Sequence, residues 1–366
     1  MKIIHVTHAP ELYGIGTFLL SLIRAQKEIK MDLGPSVAFH SSKGNIQRFA
    51  ELGVPLYSLN CGSARDPRIF FRFYRICVNY DVVDFHTHSP WAVLAALLAK
   101  KRTIFTFHGA LGLRKIWLDS IVKLFYRRII HQYCDLITFA SKSSFERYIS
   151  AIGGKLDTKK IRIFPYGRSI ETVKATKSKK DMKQALKLNG YFVVGTAVRI
   201  DQEKKLDRLI KTLALLASEK KLKLVIAGNG DRQYESYLRN LAAKLNVDNL
   251  VDFLGYREDI FDIVNSYDLF VLPSRDEPFG LALLEAMALG VPCVVFKDGG
   301  GAVDILGDSG FIVSDSVELA KLILKVKKND AILNNVSAVG KERAAKFDIK
   351  FTAQRFDSIY KELINK

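Results

Sequence analysis

The chain has 366 residues, 48% of them hydrophobic, enough for two domains of ~150 residues and too apolar for a disordered or fibrous protein. Mean hydropathy is +0.06, and no apolar run approaches the ~20 residues that cross a bilayer, which argues against a transmembrane helix. Net charge is +18 and uneven: residues 1–166 carry 24 Lys+Arg against 11 Asp+Glu, and residues 167–366 carry 32 against 27. The basic first half suits an anionic partner (membrane lipid, nucleic acid or an acidic substrate), or is a solvated basic surface. Cys61, Cys77, Cys134 and Cys293 form neither a CxxC pair nor a metal-ligand spacing and read as reduced thiols of a cytoplasmic protein.

In chain order, Met1-Lys2-Ile3-Ile4-His5-Val6 reads as a buried strand, its apolar stretch being too short for a secretion signal. Apolar, β-branched runs predict strands over 3–7, 36–40, 82–86, 103–106 and 136–140. A polar, lysine-rich interval over 171–180 reads as the linker and the approach to the second domain. Strands follow again over 192–197, 223–227, 251–253, 269–272 and 292–296. Strand–helix alternation without hairpin signals predicts an α/β protein with parallel sheets covered by helices, and the pattern occurs twice. The predicted domains are 1–168 and 169–349, with 350–366 returning to the first. Ligands of such sheets bind beyond the carboxyl ends of the strands, so the loops there are the places to search.

The most informative loop follows the strand at 269–272. Residues 273–292 read Pro-Ser-Arg-Asp-Glu-Pro-Phe-Gly-Leu-Ala-Leu-Leu-Glu-Ala-Met-Ala-Leu-Gly-Val-Pro. A helix is predicted to start near Phe279 and Gly280 and to stop at Gly290, and the amides around Phe279, Gly280 and Leu281 suit an anionic phosphate. Over 281–289 every residue but Glu285 is apolar, which predicts a buried helix whose carboxylate needs donors such as a ribose diol. Glu277, just before the helix, would face a sugar. Alternatively, Glu285 pairs with a structural arginine and Glu277 lies on the surface.

This segment resembles the E-x7-E motif of the family 4 glycosyltransferases, retaining enzymes of the GT-B fold, with Glu277 and Glu285 as its two carboxylates. The resemblance implies two Rossmann-like domains facing a central cleft, the first binding the acceptor and the second the nucleotide sugar. It implies that Glu277 contacts the donor sugar and Glu285 the ribose. Arg199 and Lys204, after the strand at 192–197, could neutralise a leaving diphosphate; the family's flanking glycines are Val198 and Lys205 here. Read alone, that cationic pair also suits a solvated loop.

Gly14 and Gly16, after the first strand, resemble the family's glycine loop, with Tyr13 in place of its first glycine. His108, in Thr-Phe-His-Gly, is placed by the resemblance on the donor sugar. His86 and His88 could be taken for metal ligands, though no carboxylate or cysteine partners them locally; otherwise they line an acceptor cleft or are structural. Gly255 and Tyr256 match the loop beside the nucleobase. Asp304 stands where the family's Gly-Gly-x-x-Glu loop has its glutamate, and Tyr166 where an interdomain Pro-Asn-Gly has its asparagine. Residues 347–364 match the helix that crosses back to the first domain.

No Asp-x-Asp occurs, so no metal cofactor is expected, and Arg199, Lys204 and the helix N-terminus would meet the diphosphate charge. Family chemistry favours same-face attack assisted by the leaving phosphate, so Glu277 is assigned to positioning rather than covalent catalysis. Two segments, 65–80 with Arg68, Arg72 and Arg75, and 114–131 with Trp117, Leu118, Phe125, Arg127 and Arg128, are basic and aromatic. They could dock on an anionic membrane or pack their apolar residues inward.

The expected activity is transfer of a hexose-type sugar from a nucleotide diphosphate sugar, UDP or GDP being favoured, to a glycan or lipid-linked acceptor. That places the protein in cell-envelope polysaccharide, lipopolysaccharide or glycolipid synthesis, in the cytoplasm or peripherally on the cytoplasmic face of the membrane. The rivals are a basic nucleic-acid-binding protein, a nucleotide-sugar epimerase and a non-catalytic sugar binder. No nucleic-acid recognition motif is present, and no nucleic-acid partner is expected.

Overall fold

The computed structural model describes residues 1–10, 14–29, 33–109, 123–153 and 156–365. The chain divides into two compact units, Met1–Ser169 with Asp348–Lys366, and Ile170–Phe347.

The first unit holds seven parallel strands, β1 (Lys2–Thr7), β2 (Gly34–Phe39), β3 (Leu56–Ser58), β4 (Val82–Phe85), β5 (Arg102–Phe107), β6 (Leu136–Phe139) and β7 (Ile161–Ile163). Their order is β3-β2-β1-β4-β5-β6-β7. The strand order reverses between β1 and β4, the position where such sheets open a crevice for ligands. Successive strand residues point to opposite faces, and the two faces here differ in kind. Ile4, Val6, Val83, Phe85, Phe105, Phe107, Ile137 and Phe139 face an apolar core shared with Ile69, Phe73 and Cys77 of helix Arg68–Cys77 and Ala92 and Ala96 of helix Pro90–Leu98. The alternate positions His5, Asp84, Thr106 and Thr138 form a buried polar row on the other face. Tyr360 of helix Ile349–Ile364 bonds to that row, and Phe18 of helix Ile15–Glu28 packs beside it.

The second unit holds β8 (Phe192–Ala197), β9 (Leu222–Ala227), β10 (Val251–Gly255), β11 (Leu269–Leu272), β12 (Cys293–Phe296) and β13 (Phe311–Val313), all parallel, in the order β10-β9-β8-β11-β12-β13. Runs such as Leu-Phe-Val-Leu and Cys-Val-Val-Phe are fully buried, as a sheet covered on both faces requires. Here the order reverses between β8 and β11.

β3, β7 and β13 were not anticipated from sequence. Each is three residues long and lies at a sheet edge, too short to show periodicity. The interval over 171–180 belongs to the second unit. The boundary falls at Ser169–Ile170, and Thr176 and Lys177 are already fastened to the second unit. Thr176 Oγ1 donates to the buried Asp262 at 2.8 Å, and the Lys177 amide donates to the same carboxylate at 2.9 Å. Lys179 pairs with Asp268 at 2.9 Å. Among the described residues, no helix is long and apolar enough to cross a membrane.

Candidate active site

In the second unit, the loops after β8 and β11 bracket the point where strand order reverses. Each carries one member of a charged pair. Lys204 Nζ donates to Glu277 Oε2 at 2.7 Å, with side chains 21% and 13% exposed. Asp201 builds the first loop. Its carboxylate accepts from the amides of Glu203 and Lys204, capping the turn Gln202–Lys204, and accepts from Arg199 Nε at 2.7 Å. Arg199 remains 63% exposed. Lys205 holds φ at 49°, the left-handed conformation that a glycine adopts without strain.

The glycines of Gly228-Asn229-Gly230, after β9, brace this loop and are not among the residues expected from the motifs. The Ile200 amide donates to Asn229 O at 3.0 Å, and the Asp231 amide to Ile200 O at 2.8 Å. A Cβ at Gly228 would lie 2.0 Å from Val198 O, and one at Gly230 2.2 Å from Ile200 O. Two glycines one residue apart directly after a strand were the available signal.

The Glu277 loop is strapped from the other side. The Gly301 amide donates to Glu277 O at 2.7 Å, and a Cβ at Gly300 would lie 2.8 Å from that oxygen. This explains the glycines at 299–301 as packing partners of the carboxylate loop. Asp298 accepts two hydrogen bonds from Arg208, at 2.7 and 2.6 Å, and one from Arg275 at 2.9 Å. The Arg208 guanidinium, ahead of a smaller opposing effect of burial, lowers the Asp298 carboxyl to about 2. Asp304 lies on helix Gly301–Leu306, and its backbone oxygen accepts from Arg343.

Helix Leu281–Ala288 begins after Gly280, at φ 100°, with Phe279 buried. Its first-turn amides have no intrahelical acceptors and, with the helix dipole, favour an anion. The expectation that Glu285 is fully buried is corrected: it is half-buried, while Leu283, Leu284, Ala286 and Met287 beside it are buried. Gly255 ends β10 at φ 66° with open space around its Cβ position, and Tyr256 is 53% exposed.

In the first unit, Gly14 caps helix Ile15–Glu28 at φ 46° with open space where a Cβ would be, and Gly16 lies buried in the first turn. Tyr13 lies outside the described residues. His108, just past β5, is half-buried among Phe18, Tyr166 and His86, with ring centroids 5.0 to 5.3 Å away. Tyr166 is thus a wall of this aromatic cluster, donating to or accepting from Thr138 at 2.9 Å. Burial, and then the neighbouring His86, hold His108 well below the ordinary histidine range.

His86 and His88 have separate surroundings. His88 stacks on Tyr126 at 5.4 Å. His86 does have a carboxylate beside it, contrary to expectation: Asp84 Oδ2 lies 3.5 Å from its Nε2, and His5 Nδ1 lies 3.0 Å from the same nitrogen. The ligand atoms of His5, Asp84 and His86 fall within 4.8 Å of one another, close enough for an ion. Asp84 is already engaged by hydroxyls, from Thr106 at 2.6 Å and Tyr360 at 2.8 Å. The group reads as a hydrogen-bonded network. Burial raises the Asp84 carboxyl, but His86, His5 and Thr106 outweigh it and hold the group well below the usual carboxylate range.

Helix Arg68–Cys77 buries Ile69, Phe73 and Cys77 and exposes Phe71 (68%), Tyr74 and Arg75. Arg68 is bound to Asp66, and Arg72 donates to the carbonyls of Leu59 and Asn60. Leu98 on helix Pro90–Leu98 is exposed, and Lys101 reaches Val78 O at 2.8 Å. In the second basic segment, residues 114–122 lie outside the described residues. Arg127 donates to Ile152 O at 2.6 Å, and Arg128 is exposed.

Two parallel-sheet Rossmann-like units, with charged loops at the strand-order reversal of the second, are the architecture of the GT-B fold. Residues 13–171 match the model of Glycosyltransferase Family 4, and residues 177–343 that of Glycosyl transferases group 1. The uncharacterised glycosyltransferase YqgM of Bacillus subtilis is 31% identical over 281 residues, 73% of this chain and 74% of that protein. N-acetyl-alpha-D-glucosaminyl L-malate synthase of Bacillus anthracis is 25% identical over 300 residues, covering 78% and 76%. Among solved structures, Alr3699/HepE of Anabaena in complex with UDP superposes with a TM-score of 0.83 at 21% identity, over 99% of this chain and 100% of that one. The chain belongs to the family 4 glycosyltransferases.

Proposed function

We propose that this protein is a retaining glycosyltransferase that takes a hexose from a nucleoside diphosphate sugar, with uridine the favoured base. The Lys204–Glu277 pair carries the reading: a cation and a carboxylate, held 2.7 Å apart at the strand-order reversal, can engage a diphosphate and the sugar attached to it. The UDP and UDP-glucose bound by the Anabaena neighbour support this choice of donor.

Lys204, Arg199 and the amides of Phe279, Gly280 and Leu281 receive the diphosphate. Glu277 positions the sugar, Glu285 takes the ribose, and Gly255 and Tyr256 flank the base. In the first unit, His108 meets a sugar hydroxyl, and the loop at Gly14 and Gly16 lets backbone approach an anion or sugar. Fixed cations neutralise the leaving diphosphate, so transfer needs no divalent ion. The acceptor is a glycan or a lipid-linked glycan, and the envelope polysaccharide or glycolipid setting follows from that choice. The exposed Phe71, Tyr74, Leu98 and Arg75 give the first unit a surface suited to an anionic cytoplasmic membrane face.

The test is a thermal-shift titration with UDP, GDP, ADP and TDP and their sugar conjugates, in EDTA. A ligand that binds only the native state raises its melting temperature by mass action. A shift confined to one diphosphate family supports the donor site and names the base. No shift with any of them in folded protein rejects it.

A further inference from the structure

Three histidines form a chain through the first unit. His5 Nδ1 lies 3.0 Å from His86 Nε2, and His86 Nδ1 lies 2.7 Å from His108 Nε2. The register of the sheet makes the chain, since His5 is paired with Asp84 across β1 and β4 and His86 follows two residues on. Each contact is short enough to hold one shared proton and too short for two facing N–H groups. The far end is closed: His5 Nε2 is buried and has no hydrogen-bond partner among the described residues. The near end is His108, half-buried and bonded to His86 through Nε2.

The closed end orders the protons. Were His5 protonated on Nε2, that N–H would be buried without an acceptor, and its Nδ1 lone pair would face the Asp84 carboxylate at 3.7 Å. Protonation on Nδ1 removes both at His5 and leaves one cost, a bare His86 Nε2 3.5 Å from the same Asp84 oxygen. His5 then donates to His86 Nε2, which must be bare, so the single proton of His86 sits on Nδ1. That proton is donated to His108 Nε2, which leaves the His108 proton on Nδ1. A doubly protonated His86 would set two N–H groups against each other across 3.0 Å.

We infer that His5, Asp84 and His86 are positioning residues that lock His108 in its Nδ1–H tautomer, making it a fixed hydrogen-bond donor to the sugar and not a general base. The inference rests on the reading of His108 as a donor-sugar contact. Tyr360 and Thr106 hold the Asp84 carboxylate that orients the closed end, so helix Ile349–Ile364 has a part in setting the tautomer. The Nδ1–H form is the minority tautomer of a free histidine side chain, so its presence is diagnostic.

Long-range proton–nitrogen correlation spectra of the full chain, labelled with 15N-histidine at pH 7.5, read each tautomer directly. The expected result is Nδ1–H at His5, His86 and His108, and a change of His108 towards Nε2–H in His86→Phe. His108 carrying Nε2–H in the unmutated protein overturns the inference, as does an unchanged tautomer in a folded His86→Phe variant. Tyr360→Phe, a milder change, should give His108 a mixture of tautomers if His86→Phe does not fold; an unshifted spectrum there also overturns it. A UDP titration of the same sample separates the two claims. UDP binding with Nε2–H at His108 removes the tautomer lock and leaves the transferase reading; Nδ1–H without nucleotide binding does the reverse.

Discussion

Lys204 and Glu277 are 73 residues apart in sequence, yet their charged ends lie 2.7 Å apart because β8 and β11 are neighbours in the sheet. Each holds the other where an incoming diphosphate sugar would find both. Removing either leaves a partly buried charge without its partner, at a cost of about 1.5–3 kcal/mol for a charged hydrogen bond.

Glu277→Gln and Lys204→Met should each lower kcat by roughly 10²–10³-fold, the range for losing one fixed electrostatic contact to a transition state. Because the two act as a unit, the double variant should be little worse than the poorer single one. Steady-state rates with the donor identified by thermal shift check this. Multiplicative losses would show that the residues act independently.

Gly230→Ala tests the brace behind the cationic loop. The added Cβ would meet Ile200 O at 2.2 Å, so backbone must move. The expected cost is about 1–3 kcal/mol of stability, with weaker nucleotide binding because the Arg199–Lys204 segment is displaced. Gly62→Ala, where nothing lies within 4 Å of the new atom, should change neither. Equal melting temperatures and UDP affinities for the two variants would remove the bracing role.

Buried histidines give stability a pH dependence of definite sign. Burial first, then charged neighbours, lowers His5 to about 3 and His40, His88 and His131 to about 4. Unfolded, each titrates near 6.5, so between pH 6.5 and about 4 the unfolded chain binds more protons than the folded one. Stability is fully present above 6.5 and is lost as pH falls through this window, by up to about 1.4 kcal/mol per pH unit for each histidine. Urea midpoints measured at pH 7, 6 and 5 should therefore fall in that order. Equal midpoints would mean that these rings are hydrated in the folded state.

The membrane surface is testable without substrate. Phe71→Ser combined with Arg75→Glu alters only exposed side chains of helix Arg68–Cys77, so the melting temperature should hold within about 2 °C. Sedimentation with vesicles rich in anionic lipid should drop several-fold. Sedimentation equal to that of the unaltered protein, or binding indifferent to anionic lipid, would remove this helix from the docking surface.

The sequence by itself determined the doubled strand–helix pattern, the loops to search and most candidate side chains, because parallel buried strands are written as short β-branched runs and E-x7-E is a local spacing. It also located the turn to the last helix. Three edge strands of three residues escaped it, since so short a run carries no period. Glu285 read as buried because every neighbour in its helix is apolar, but which face of a short apolar helix is covered depends on what packs there. The pairing of Lys204 with Glu277 and the chain from His5 through His86 to His108 were decided only by tertiary structure. Both depend on strand order and register, which bring residues about 70 to 80 positions apart within hydrogen-bonding distance. A single sequence carries no record of which strands become neighbours, because that choice is made by the packing of whole faces and not by any local run of residues.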